Sequence, residues 1–114
     1  MNFITLPPVK RGDTWSFAFS WKDQNTPINL SNCTARMQIR DKSTLAIVAE
    51  ATTDNNYIVI NGSTGEVSVT YPASETTDIS PGSYVSDLEI TFTDTGVVKS
   101  SNTISIEVLA DITR

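Results

Sequence analysis

Few side chains in this 114-residue sequence could serve as a nucleophile, a general base or a metal ligand. The chain contains no histidine and a single cysteine, Cys33. A Ser–His or Cys–His nucleophile is therefore excluded, because both need an imidazole base. Structural zinc needs about four Cys or His ligands, and a disulfide within the chain needs a second cysteine. We expect Cys33 to be a small core or interface group beside strand-like residues.

Asp94-Thr95-Gly96 is the sharpest catalytic motif, because this triplet carries the catalytic aspartate in retroviral-type aspartic proteases. Those proteases are dimers of chains of similar size, and a later apolar-Gly pair and a short helix brace their active-site loop. Here residues 97–114 contain no glycine, and Asp and Gly are common in tight hairpin turns. We therefore expect a hairpin turn at this triplet and no enzymatic activity.

Three other short motifs have simpler explanations. Arg11-Gly12-Asp13 matches an integrin-binding tripeptide, but glycine before a strand is ordinary turn chemistry. Asn32-Cys33-Thr34 and Asn61-Gly62-Ser63 match the N-glycosylation pattern. The first residues lack the basic and long apolar regions of a signal peptide, so we expect both glycosylation matches to be chance and synthesis to be cytoplasmic.

The charge balance restricts the partners and ligands. Eight Lys and Arg against thirteen Asp and Glu give a formal net charge of −5, whereas phosphate backbones are bound by clustered basic residues. No apolar run approaches the roughly 20 residues that span a bilayer. Acidic pairs such as Asp87 with Glu89, or Asp54 near Glu50, lack the dense ligand loop of a calcium site. We expect no nucleic acid, membrane, metal, other cofactor or small-molecule substrate.

Alternation with a period of two dominates the chain. Trp15, Phe17, Phe19 and Trp21 alternate with small residues, so the four aromatics lie on one face of a strand and need a covering layer. The same pattern places Ala35, Met37 and Ile39 inward, and later Tyr84, Leu88, Ile90 and Phe92. Further β-rich runs lie at residues 45–50, 57–60, 65–71 and 97–112. Ser74 is expected to cap at most one helical turn.

These patterns predict one domain with an all-β, immunoglobulin-like sandwich of about seven to nine antiparallel strands. The sandwich is expected to cover residues 13–114, after an extended N-terminal arm at residues 1–12. The Cys–Trp–Cys spacing of antibody domains is absent, so aromatic side chains are expected to replace the disulfide in the core.

The N-terminal arm is the expected protein-binding segment, because it is too polar and proline-rich to belong to the core. Proline also blocks regular strand pairing at positions 7 and 8. Terminal segments are usually mobile unless something holds them. We therefore expect Phe3, Ile4, Leu6, Pro7 and Pro8 to dock on a neighbouring subunit, with docking on the same chain as the alternative.

Four runs, in sequence order, resemble the small virion proteins of tailed bacteriophages and prophages. They are RGDTWSF at residues 11–17, PINL at 27–30, TARMQIR at 34–40 and PGSYVSDLE at 81–89. Members of that family typically open with an Arg-Gly-Asp/Thr strand and later show Pro-Gly-x-Tyr-x-x-Asp-Leu-Glu. The closing Ile112-Thr113-Arg114 also fits, so the likeness covers nearly the whole chain.

The resemblance implies an immunoglobulin-like module similar to the N-terminal domain of some upper baseplate proteins. It implies a structural protein of the virion with no catalytic residue, made in the host cytoplasm. Its partners would be other virion proteins and copies of itself. The position in the particle stays open among tail, baseplate, fibre attachment and head decoration.

The alternative function is a host-surface receptor- or carbohydrate-binding module. Loops at residues 52–56 and 61–64 would then make the contacts. Sugar rings are usually bound by stacking on exposed aromatic side chains. Only Tyr57 borders these loops, whereas Trp15 and Trp21 belong to the predicted core, so the sequence favours the structural role.

Overall fold

Eleven strands and one helical turn form the part of the chain that the computed structural model describes, residues 6–23 and 26–112. The strands are β1 (Val9–Lys10), β2 (Trp15–Ser20), β3 (Lys22–Asp23), β4 (Thr26–Pro27), β5 (Cys33–Asp41), β6 (Ile47–Thr52), β7 (Ile58–Asn61), β8 (Glu66–Tyr71), β9 (Gly82–Phe92), β10 (Val97–Ser100) and β11 (Ile104–Leu109), and the helical turn α1 is Ala73–Thr76. Eight of these strands have four or more residues, in line with the predicted seven to nine.

Two sheets make the sandwich. The large sheet has the order β1-β11-β9-β5-β6, with β10 also paired to β9, and the small sheet has the order β2-β8-β7. A separate hairpin joins β3 to β4. The pairs are antiparallel except β1 with β11, which run parallel with Val9 opposite Val108. The prediction of an all-β sandwich is therefore confirmed.

The alternating aromatics of β2, together with Trp21, the residue after the strand, belong to the core, as predicted. The side chains of Trp15, Phe17, Phe19 and Trp21 are all buried. Trp15 meets the ring of Tyr71 edge-to-face with 6.3 Å between centroids. Tyr71 Oη also donates a hydrogen bond of 2.8 Å to the Met37 carbonyl, which links the small sheet to the large one. Burial raises the pKa of the Tyr71 hydroxyl far above its usual value.

On the large sheet, the predicted inward residues of β5 are buried, as are Tyr84, Leu88 and Ile90 of β9. Phe92, at the end of β9, is only half-buried against the core. The alternation on β9 also buries a polar residue that was not among the predicted inward set. Ser86 satisfies its hydroxyl by donating a hydrogen bond of 2.7 Å to the Gln38 carbonyl.

The predicted single helical turn is present, but its predicted cap is wrong. The N-cap position is Pro72, with no side-chain capping bond, and Ser74 lies inside the turn and is exposed. Instead, the buried Thr76 anchors the turn. Its hydroxyl donates a hydrogen bond of 2.6 Å to the Asp13 carbonyl, which lies between β1 and β2.

Two strand boundaries differ from the prediction. Residue 45 was expected in a strand, but Leu45 lies in a turn with φ of 62°, and β6 begins at Ile47. The last strand was expected to alternate to residue 112, yet β11 ends at Leu109. The physical reason is that its antiparallel partner β9 begins at Gly82, opposite Val108, so the ladder has no further residues to pair.

A bulge separates β10 from β11, both of which pair with β9. β10 and β11 lie along the same side of β9, with Ser100 opposite Glu89 and Ile104 opposite Ser86. Two residues of β9 therefore face three residues, 101–103, of the returning chain. Ser101 bridges the gap, because its N–H donates to the Leu88 carbonyl at 2.9 Å and its hydroxyl accepts from the Leu88 N–H at 3.0 Å.

Candidate functional site

The second half of the N-terminal arm is attached to the sandwich itself. Val9 and Lys10 pair with the end of β11, and the Arg11 N–H donates a hydrogen bond of 3.0 Å to the Leu109 carbonyl. The Trp15 indole N–H donates one of 2.7 Å to the Lys10 carbonyl. Gly12, with φ of +85°, allows the chain to turn from the large sheet into β2.

The first described residues of the arm form one wall of a groove. Leu6, Pro7 and Pro8 border an open groove of about 570 Å³ whose opposite wall is the start of β2, residues 15–18. Leu6 is half-buried against the core, whereas Pro7 and Pro8 are exposed. Phe3 and Ile4, the other two residues expected to bind a partner, lie outside the described residues. The structure therefore brings three of the five expected residues together, beside a strand that sequence reasoning did not include in the site.

The strand on the far side of this groove has an open edge. Among the described residues, β2 pairs with β8 alone. The Trp21 N–H donates to the Gly65 carbonyl at 2.7 Å, so the odd-numbered positions are the ones that exchange hydrogen bonds with β8. The backbone N–H and C=O groups of Ser16 and Ala18 consequently point away from β8, into the groove. The absence of charge and proline from β2 was the sequence signal that could have identified this edge.

The outer face of the small sheet is almost uncharged. Exposed positions on β2 are Ser16, Ala18 and Ser20, and those on β8 include Ser68 and Thr70. On β7, Val59 opposite Ser68 is 64% exposed. The hydroxyls of Ser16 and Thr70 lie 3.4 Å apart and share a hydrogen bond. Glu66 is the single charged residue in the three strands of this sheet. Such a surface can approach another protein with little desolvation of charge.

The outer face of the large sheet has the opposite character. Arg36 and Glu89 form an ion pair of 3.4 Å across β5 and β9. Arg40 donates a hydrogen bond of 2.8 Å to Gln38, whose amide nitrogen donates in turn to Glu50. Arg36 and Glu50 are exposed and the other three residues are half-buried at the surface, so these interactions add little stability but keep this face hydrated.

The Asp-Thr-Gly triplet forms the hairpin turn that was predicted. It joins β9 to β10, with Gly96 at φ of +72° and its N–H donating to the Phe92 carbonyl at 2.8 Å. Asp94 accepts a hydrogen bond of 2.9 Å from the Asn32 side chain. Burial, assisted by the Asp94 carboxylate, raises the pKa of the nearby Cys33 thiol above its usual value. A protonated thiol is a poor nucleophile.

The tripeptide Arg11-Gly12-Asp13 is held against the sandwich by a hydrogen bond. Arg11 donates a hydrogen bond of 2.8 Å from Nε to the Thr77 carbonyl, which fixes the tripeptide at residues 11–13 beside α1. Across residues 6–23 and 26–112, no three Asp, Glu, Cys or His side chains form a group that could hold a metal ion. Nor does this part of the chain contain a helix with the length and apolarity to cross a bilayer.

The loop at residues 52–56 is built around one side chain. Asn55 Oδ1 accepts hydrogen bonds of 3.0 Å from the N–H groups of Thr52 and Tyr57, and its Nδ2 donates one of 3.2 Å to the Glu50 carbonyl. Tyr57, half-buried, donates from its hydroxyl to Glu75 at 3.2 Å. The loop is therefore internally bonded, and its bordering aromatic ring contacts its own chain.

No protein-family model matches this sequence, and a search of curated proteins finds no match.

Proposed function

We propose that the chain is a non-enzymatic structural protein of a tailed-phage virion, in which it makes protein–protein contacts within a symmetric assembly. The observation that carries the proposal is the groove between the arm, Leu6 to Pro8, and the open edge of β2. Exposed strand edges readily accept a further strand from another chain. The resemblance of runs along the sequence to small phage virion proteins supports the kind of assembly.

An immunoglobulin-like architecture, which we infer from two features, supports this role. The small sheet β2-β8-β7 has the order of strands B, E and D, and β5, β9 and β10–β11 correspond to C, F and G. The second feature is Tyr84 at the start of β9, whose hydroxyl donates a hydrogen bond of 2.6 Å to the Ser80 carbonyl. This is the arrangement of the tyrosine corner in such sandwiches. A module of this kind serves as a rigid building block whose contacts are made by its edges and ends.

The difference in charge between the two outer faces favours contact with a partner on the side of the small sheet. The face of the large sheet carries Arg36, Arg40 and Glu89, whereas Glu66 is the single charged residue in the strands of the face next to the groove. Pro7 and Pro8 have no backbone N–H groups, so their wall of the groove offers mainly apolar contact. Both features suit a protein partner better than a charged or sugar ligand.

A receptor- or carbohydrate-binding module remains the alternative function, and the described residues give it less support. Trp15 and Trp21 are buried, and the Tyr57 ring is half-buried with its hydroxyl bonded to Glu75. The loop at residues 52–56 thus lacks an exposed aromatic platform for stacking on a sugar ring.

Mass spectrometry of purified particles tests the proposal directly. We expect the chain in intact virions and, after separation of heads from tails, in one of the two fractions at a fixed ratio to a major structural protein. Abundant protein in infected cells with none in purified particles would contradict the proposal.

A truncation tests the role of the arm. Removing residues 1–8 leaves Val9 in place to pair with Val108 but removes the contact of Leu6 with the core, so we expect a small decrease in the melting temperature and loss of incorporation into particles. Ile112→Ser, at an apolar position that is 85% exposed near the other terminus, is the matched control and should incorporate normally. Incorporation of the truncated chain at the parent level would show that the arm is not the attachment segment.

A further inference from the structure

Four of the five edges of the two sheets are short or protected against further strand pairing, within the described residues. The edge that β10 forms with the start of β11 carries Lys99 and Glu107 and is interrupted by the bulge at residues 101–103. β1 has two residues and follows Pro7-Pro8. β7 has four residues. β6 is longer, but the side chain of Asn55 accepts a hydrogen bond from the Thr52 N–H and donates one to the Glu50 carbonyl. These two backbone groups are therefore not available to a neighbouring strand. Natural sheets use such devices to prevent edge-to-edge association.

The edge of β2 has none of these protections. It has six residues without a charge, a proline or a bulge, and its register with β8 is continuous from Trp15 opposite Tyr71 to Ser20 opposite Glu66. The backbone groups of Ser16 and Ala18 point into the adjacent groove, which leaves space beside them for an incoming strand. A regular, uncharged edge of this kind is a template for strand addition.

We propose that this edge pairs with β2 of a second copy of the chain, antiparallel and across a two-fold axis at Phe17. Ser16 of each copy then lies opposite Ala18 of the other, and the outward N–H and C=O groups of both residues find partners. The small sheets of the two copies join into one six-stranded sheet. The inference rests on the proposed function, because it names the contact through which copies associate in an assembly.

Charge and side-chain size at the groove favour a second copy as the occupant. The groove contains one positive and one negative side chain, Lys10 and Asp13, so it is neutral although the whole chain carries −5. Two copies therefore meet here without repulsion between like charges at the contact itself. The side chains of Ser16 and Ala18 are small, so neither blocks the approach of an identical strand. In the two-fold register, Ser16 of one copy lies opposite Ala18 of the other.

Sedimentation velocity of the full chain over a range of concentrations measures the association. We expect a monomer–dimer equilibrium in the parent. Ala18→Pro removes an N–H that points away from β8, so the fold should persist. The dimer should lose two hydrogen bonds, which raises its dissociation constant by about 30-fold. Ala18→Lys, which puts a charge on the edge without changing the backbone, should also weaken the dimer if the proline variant fails to fold.

Two further samples test the register. Ser68→Lys places the same charge on the same outer face, but on the central strand β8, and should leave the dimer intact. An equimolar mixture of Ala18→Lys and Ser16→Glu should form heterodimers, because the introduced lysine of one chain would lie opposite the introduced glutamate of the other. Heterodimers that form no better than the Ala18→Lys homodimer would refute the Phe17-centred register.

A parent chain that stays monomeric at the highest soluble concentration overturns the inference, as does a dimer that Ala18→Pro and Ala18→Lys leave unchanged. Either result leaves the proposed function standing if the chain is found in purified particles. Conversely, a β2-dependent dimer that is absent from particles would contradict the proposed function alone.

Discussion

Replacement of Trp15 by alanine tests the packing on which the whole sandwich depends. The side chain is 2% exposed, contacts the Tyr71 ring edge-to-face and donates its indole N–H to the Lys10 carbonyl. Burial of roughly 200 Å² of apolar surface at about 25 cal/mol per Å² contributes about 5 kcal/mol. Measured Trp-to-Ala replacements in cores cost about 3–5 kcal/mol. We expect a loss in this range for Trp15→Ala.

Trp15→Phe separates the two contributions. Phenylalanine keeps most of the apolar contact but has no N–H for the Lys10 carbonyl, so we expect a smaller loss of about 2 kcal/mol. Urea unfolding followed by far-UV circular dichroism measures all variants without depending on tryptophan fluorescence. A Trp15→Ala protein as stable as the parent would refute the core assignment.

Asp94→Asn is the matched control at an exposed hairpin position. Its free energy of unfolding should stay within about 0.5 kcal/mol of the parent value. The same variant tests the protease alternative, since peptide cleavage by the parent that disappears in Asp94→Asn would contradict a non-enzymatic role.

Three further changes have defined outcomes. Tyr84→Phe removes the hydrogen bond to the Ser80 carbonyl and should cost about 1 kcal/mol in urea unfolding; no loss would show that this bond does not contribute. Leu45→Asn should add about 0.5–1 kcal/mol in the same assay, because asparagine tolerates the positive φ of 62° better than leucine; a loss would mean that the exposed Leu45 side chain stabilises the turn. Iodoacetamide should alkylate Cys33 more slowly at pH 8 than it alkylates a cysteine in a short peptide, because burial and Asp94 raise the pKa of the thiol. Removing the Asp94 charge should lower that pKa and speed alkylation, and an equal or slower rate in Asp94→Asn would contradict the electrostatic contribution.

Local patterns in the sequence were sufficient for the strands and for much of the core. The alternation in residues 15–21 identified the buried face of β2, because successive side chains in a strand point to opposite faces. The Asp94–Gly96 turn could be predicted for a similar reason, since its conformation depends on a glycine that adopts positive φ. In both places the deciding interactions lie within a few residues, so the sequence alone contains the signal.

Tertiary structure decided the contacts between residues far apart in the chain. Val9 pairs with Val108, and Thr76 anchors α1 by bonding to the Asp13 carbonyl, 63 residues away. No local periodicity encodes such partners, because they depend on which segments the folded sheets bring together. The candidate site has the same origin. The sequence indicated that Leu6, Pro7 and Pro8 contact a partner, but the open edge of β2 opposite them exists only because the small sheet places β8 on one side of β2 and leaves the other side to the groove.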